Sequence, residues 1–182
     1  MTTSPADALV VNVAGLLGEP PGSHRDVAVD GVSLDLGDDL RQATPLSLQA
    51  RVARTNRGVV VSGHVVTSLE DTCGRCLVAV ELPIEAPIDE EILPSIELQS
   101  GLAVDRSAEP EAFRLSDHHE LDFEPLVREA IVLAAPIAPV CRPDCRGLCP
   151  ECGTDLNVGP HAHEDAPVDP RLEKLREFEA DG

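Results

Sequence analysis

Cys141-Arg-Pro-Asp-Cys145-Arg-Gly-Leu-Cys149-Pro-Glu-Cys152-Gly153 holds four of the six cysteines of the chain. The other two form a second Cys-x-x-Cys turn far upstream, Cys73-Gly-Arg-Cys76, and His161 and His163 follow downstream. Thiolate and imidazole are preferred donors for a tetrahedral zinc ion. A Cys-x-x-Cys turn lets two sulfurs face one ion, and Gly153 suits such a turn because the residue after it often needs a positive φ. Six thiols and two imidazoles make eight donors, enough for two four-ligand sites. The stretch therefore reads as a metal clamp that draws the upstream chain to itself, with one or two structural zinc ions as the expected cofactor.

Spacing permits three groupings. The first joins Cys73, Cys76, Cys141 and Cys145 in a long-range site and leaves Cys149, Cys152, His161 and His163 as a local one. The second places Cys141, Cys145, Cys149 and Cys152 around one ion. The third joins the two Cys-x-x-Cys turns as in a zinc ribbon. The first is favoured because no donor is left over. For His161 and His163 the plain alternative is a polar loop with no metal role. His118 and His119 are adjacent, point different ways, and read as surface residues.

Composition bounds the rest. A chain of 182 residues, 42% of them apolar, suggests one domain with an aliphatic core, since it has three Phe and no Trp or Tyr. Within it we expect a disordered N-terminus (1–8), a β-rich body with the first Cys-x-x-Cys (9–98) and a mobile loop (99–117). A helix with an extended approach (118–140) and a Cys-rich segment with a last helix (141–182) complete it. The N-terminus has no basic region, and the apolar run 8–17 is broken by Asn12 and Gly15, so neither a signal peptide nor a membrane span is read. The expected location is the cytoplasm, where cysteines at short spacings read as metal ligands rather than disulfides.

The fold class expected is α+β: an antiparallel sheet that could be barrel-like, with a packed central helix and a C-terminal zinc-binding Cys-rich segment. Residues 46–52 alternate apolar and polar, residues 59–67 are rich in β-branched side chains, and Thr55-Asn-Arg-Gly58 between them predicts a hairpin. Residues 78–84 alternate again, and Pro83 marks an edge strand. Asp122 caps a helix with Pro125 in its first turn, one apolar face, and a stop at Pro136. A last helix over 171–179 carries Leu172, Leu175 and Phe178.

Net charge is −19, from 33 acidic and 14 basic residues with a single lysine, Lys174. Such a chain attracts basic partners and repels nucleic acid and anionic membrane. Its local exceptions are Arg51, Arg54 and Arg57 at the hairpin and Arg75, Arg142 and Arg146 near the cysteines, candidates for partner or RNA contact or a solvated surface. Eight donors for two ions leave no open coordination position for a catalytic water. The deaminase pattern and His-Glu-x-x-His are both missing. A Cys-x-x-Cys thiol oxidoreductase or a zinc-dependent enzyme is the rival class, but Cys73-Gly-Arg-Cys76 lies between strands rather than at a helix N-terminus.

Several stretches together resemble a known family. They are Val11-Asn12-Val13, Cys73-Gly-Arg-Cys76-Leu77, residues 130–136 leading into Cys141, the run Cys141 to Asn157 with its Gly-Leu-Cys-Pro and Leu-Asn, and Asp169-Pro-Arg-Leu172. Spanning about residues 9–178, they are similar to the YceD family, the large ribosomal RNA subunit accumulation proteins. The resemblance implies a non-enzymatic role in accumulation of 23S ribosomal RNA and large-subunit assembly. Many members carry Cys-x-Cys where this chain has His161-Ala-His163, which implies that the histidines replace thiols as ligands. Other members lack part of the cysteine set, which implies a metal that stabilises the fold. With a charge of −19, the expected partner is a basic ribosomal protein or assembly factor, more than the RNA itself. Neither a membrane nor a small-molecule substrate is expected.

Overall fold

Apolar side chains recur at every second position in three long segments, and these become strands of one sheet. The computed structural model describes residues 7–37, 40–97, 100–105, 107, 109–163 and 171. The expectations for residues 1–6 and, residue 171 apart, for a last helix over 171–179 lie outside the described residues. Strands β2 (His24–Val32), β3 (Arg41–Arg54), β4 (Val59–Thr72) and β5 (Ala79–Ile92) follow one another as an antiparallel meander in that order. The β4–β5 ladder is unbroken from Val59↔Ile92 to Thr72↔Ala79. Between β3 and β4 the register shifts around Thr44. Side chains supply polar partners there: Thr67 Oγ1 donates to Thr44 O at 2.7 Å, and Gln42 Nε2 donates to Thr67 Oγ1 at 3.1 Å.

One face of the sheet is buried. Leu46, Leu48 and Val52 of β3, Val59, Val61 and Val65 of β4, and Ile84, Ile88 and Ile92 of β5 all point into it. Helix α2 (Glu124–Ala134) covers this face, with Leu126, Val127 and Ile131 buried against β5 and β4. Phe123, fully buried, already has helical dihedrals, and Asp122 Oδ1 accepts the Glu124 amide at 2.9 Å. The N-terminal segment closes the core. Strand β1 (Val10–Asn12) pairs antiparallel with β6 (Glu120–Asp122), and the one-turn helix α1 (Ala14–Leu17) buries Leu16 and Leu17.

The barrel-like alternative is not what forms. The four strands make an open sheet whose edges, β2 and β5, do not pair with each other. Closure needs donors on the free edge of β5, and Pro83 and Pro87 supply none at positions where the ladder to β4 is continuous. The apolar face is sealed instead by α2 and the N-terminal turn, which leaves no interior to enclose.

Pro136 ends the helix. It holds Ala135 extended, at φ −65° and ψ 127°. The chain then runs along the end of the sheet, where Pro139 O accepts the Gly74 amide at 2.8 Å. This contact delivers Cys141 beside the β4–β5 turn. Phe123→Ala should cost about 3–5 kcal/mol in urea unfolding. Val66→Ala, on the outer face, should change stability by less than about 0.5 kcal/mol. Equal losses at the two positions would show that the core lies elsewhere.

Candidate metal centres

The first Cys-x-x-Cys is the turn between β4 and β5. The ladder ends at Thr72↔Ala79, and the turn closes by Cys73 N donating to Val78 O at 2.8 Å and Leu77 N donating to Cys73 O at 2.9 Å. The second turn repeats the device: Gly153 N donates to Cys149 O at 2.9 Å. In both, the residue after the second cysteine is left-handed, Gly153 at φ 73° and Leu77 at φ 59°. A leucine in this region is strained by roughly 1–2 kcal/mol. Its side chain is 64% exposed, so packing offsets little of that.

Cys73, Cys76, Cys141 and Cys145 converge, with their sulfurs all within 4.8 Å of one another. Cys73 Sγ lies 3.9 Å from Cys145 Sγ, and Cys76 Sγ lies 3.6 Å from Cys141 Sγ. A disulfide would bring sulfurs to about 2.05 Å. Four thiolates around one tetrahedral ion at about 2.3 Å stand about 3.8 Å apart, so the spacing fits ligands of a single ion. Cys73 and Cys145 are buried, Cys76 half-buried and Cys141 exposed. Arg75 braces the loop by donating to Cys145 O at 2.8 Å and Pro143 O at 3.3 Å. The thiols differ in acidity. The amides of Cys76 and then Cys141 lower Cys73 to about 6. Desolvation, with the neighbouring thiols behind it, pushes Cys141 up to about 12. Ionising all four together calls for a cation among them.

Cys149, Cys152, His161 and His163 form the second cluster, again within 4.8 Å. His163 Nε2 lies 3.1 Å from Cys149 Sγ, and His161 Nε2 lies 3.1 Å from Cys152 Sγ. The opposite nitrogen of His163 is 3.3 Å from Glu151 Oε2, a contact that fixes the ring with Nε2 facing the thiols. The hydroxyl and then the amide of Thr154 lower Cys152 to about 6. This centre is the more open one, with only Cys149 buried.

The two clusters share a wall. Cys145 and Cys149 bound Arg146-Gly147-Leu148, which packs on the first turn: Leu148 N donates to Arg75 O at 3.1 Å. Gly147, at φ 77°, has no room for a side chain, since a Cβ would meet Arg75 O at 2.9 Å. Of the three groupings that spacing allows, this geometry has the first. Either set of four donors could hold a metal ion.

The arginines singled out in the sequence stand elsewhere or are engaged. Arg51 Nε donates to Asp26 Oδ1 at 2.8 Å. Arg54 clamps its turn by donating to Gly58 O at 2.9 Å and Leu17 O at 3.2 Å. Arg57 pairs with Glu109 at 2.6 Å and Glu91 at 3.3 Å. Arg142 holds Asn157 Oδ1 at 2.8 Å and Asp144 at 3.4 Å, while Arg146 is exposed on the shared wall. His118 is exposed, His119 is half-buried, and neither joins a cluster. Sequence reasoning missed the groups behind the donors: Arg75 as a brace, Glu151 on His163, Thr154 on Cys152, and Asn157. Glu151 and Thr154 flank Cys152 and were within reach of a local reading. Asn157 stood in the Leu-Asn of the family resemblance, but nothing local pointed to its contacts with Cys145, Arg142 and Arg146.

Two outcomes follow from the turns. Leu77→Gly should stabilise the chain by about 1 kcal/mol in denaturant unfolding, through relief of the left-handed strain; a loss instead would mean that the leucine side chain contributes more than its exposure indicates. Thr154 lowers Cys152 to about 6 and the side chain is exposed, so in metal-free protein iodoacetamide should label it ahead of Cys141 at pH 7, and labelling should slow as pH falls through about 6. Peptide mapping by mass spectrometry reads the order, and faster labelling of Cys141 would contradict it.

The sequence profile described as "Large ribosomal RNA subunit accumulation protein YceD" matches residues 61–179, from within β4 onward. An uncharacterized protein of Mycobacterium bovis and one of Mycobacterium tuberculosis are each 35% identical over 138 residues, 75% of this chain and 63% of their own length. One of Mycobacterium leprae is 32% identical over 135 residues, 74% of this chain and 59% of its own. The chain thus spans less than two thirds of these curated relatives. No solved structure matches it. With the profile covering most of the chain, including both Cys-x-x-Cys turns and both histidines, this protein belongs to the YceD family, named for accumulation of the large ribosomal RNA subunit.

Proposed function

We propose that the protein is a non-enzymatic ribosome-biogenesis factor that promotes accumulation of 23S ribosomal RNA and large-subunit assembly, with a structural zinc ion in each cluster. The observation that carries this reading is the family match over residues 61–179, the segment that contains all eight donors. The metal reading draws on the donor chemistry. A set of four thiols and a set of two thiols with two imidazoles are both closed tetrahedra suited to zinc, with no position left for a substrate or an activated water. Zinc held this way ties the β4–β5 turn to the chain after α2 and stabilises the fold. Among the described residues no helix is long and apolar enough to cross a membrane. The cytoplasm is the setting that suits both reduced thiols and ribosome assembly.

The partner we infer is a basic ribosomal protein or assembly factor. A net charge of −19 supports it. So does the engagement of Arg51, Arg54, Arg57, Arg75 and Arg142 with acceptors of the same chain, which reduces what they can offer to phosphates. Contact with the RNA is, on this reading, weak and secondary.

Metal analysis tests the first part. Purified protein should contain close to two zinc ions per chain, with Cys73→Ser losing one and Cys149→Ser the other. A metal-free chain with a reversible Cys73–Cys76 disulfide would instead establish the thiol-redox alternative. For the second part, pull-downs from lysate should recover ribosomal proteins or precursor particles, and gel shifts with large-subunit RNA should vanish as salt rises. RNA binding that stays tight at high salt would overturn the preference for a protein partner.

A further inference from the structure

Asn157 belongs by position to the second cluster, since it lies between Cys152 and His161. Its side chain reaches the first. Asn157 Nδ2 points at Cys145 Sγ from 3.7 Å and donates to Asp155 Oδ1 at 2.6 Å. Its Oδ1 accepts from the Arg146 amide and from the Arg142 guanidinium, both at 2.8 Å. These contacts hold both ends of the loop that presents Cys141 and Cys145. The backbone around Asn157 is in turn set by the second turn. Cys149 N donates to Thr154 O at 2.8 Å, Leu156 N donates to Gly147 O at 2.9 Å, and Leu148 pairs antiparallel with Asp155. Whatever orders residues 149–163 therefore also orients the amide that faces the Cys145 sulfur.

We propose that Asn157 is a positioning residue that couples the two metal centres, so that filling the Cys149–His163 centre raises the affinity of the Cys73–Cys145 centre. The inference rests on the reading above that both clusters hold metal. A bound thiolate carries most of its charge on sulfur and gains from an N–H directed at it, and the loss of such an outer contact typically weakens metal affinity about 10–100-fold. Coupling between two binding sites is reciprocal, so filling the first centre raises the affinity of the second by the same factor.

The test uses the full chain, stripped of metal and titrated with Co2+ against a competing chelator. The sulfur-to-cobalt charge-transfer bands report each centre. The wild-type chain should fill both centres together. His161→Ala/His163→Ala, which dismantles the second centre, should leave a four-thiolate cobalt spectrum with affinity about tenfold lower. Asn157→Ala should keep two ions and lower first-centre affinity by a similar factor. Adding the histidine substitutions to Asn157→Ala should then cause no further fall. Asn157→Asp keeps the acceptor for Arg142 and Arg146 but removes the donor to sulfur. It should behave like Asn157→Ala, and full recovery by the aspartate would overturn the role given to the N–H. First-centre affinity unchanged within twofold by the histidine substitutions, or losses that simply multiply in the combined variant, would overturn the coupling. A wild-type chain that binds no Co2+ would overturn the metal reading itself, a separate result visible before any variant is made.

Discussion

The unbroken ladder between β4 and β5 is the constraint from which the rest follows. Fourteen-residue strands in continuous antiparallel register leave no slack at their end, so Cys73 and Cys76 are presented from a rigid turn. The opposing thiols arrive by another route that is tied to the same strands. Helix α2 packs on β5, ends at Ala134, and hands the chain to Pro139, whose carbonyl is bonded to Gly74. Both halves of the first centre are thus anchored to one aliphatic core. The sheet and the helix together bring the four sulfurs to ligand spacing.

Charge is distributed unevenly over this frame. The buried face of the sheet carries no charge among its core residues, whereas the outward side of β5 bears Glu81, Glu85, Asp89 and Glu91 at alternate or nearby positions. The arginines that could offset this are largely spent within the fold, as clamps on turns and pairs with nearby carboxylates. A protein built this way keeps its positive charge for its own loops and shows its negative charge outside. That arrangement is the physical ground on which a basic protein partner, and not a phosphate backbone, is proposed.

Much of the architecture was legible in the sequence, because strand alternation and turn chemistry act locally. Alternation at Leu46, Leu48, Ala50 and Val52 announced β3, and Asp122 with Pro125 announced α2. Closure of the sheet was not legible. It depends on whether two edges meet, and the prolines of β5 bear on that only once the partner strand is known. The grouping of donors was legible only as a choice among three, since Cys141 and Cys145 reach either way by spacing alone. The position of the β4–β5 turn decides between them in the structure. Asn157 and the engaged arginines were hidden for the same reason, because their partners lie across the fold rather than along the chain.

The long reach of the first centre also sets an order of events at the ribosome that makes this chain. Cys73 and Cys145 are 72 residues apart. At a synthesis rate of about 5–20 residues per second, Cys145 is made roughly 4–14 seconds after Cys73. During that interval the β4–β5 hairpin can form, but its two thiols stand without their partners. The second centre, drawn from residues 149–163, is made within about a second or a few from its first donor to its last. One pair of cysteines therefore waits far longer for its partners than the other, and the first cluster can be completed only once the chain past α2 has emerged.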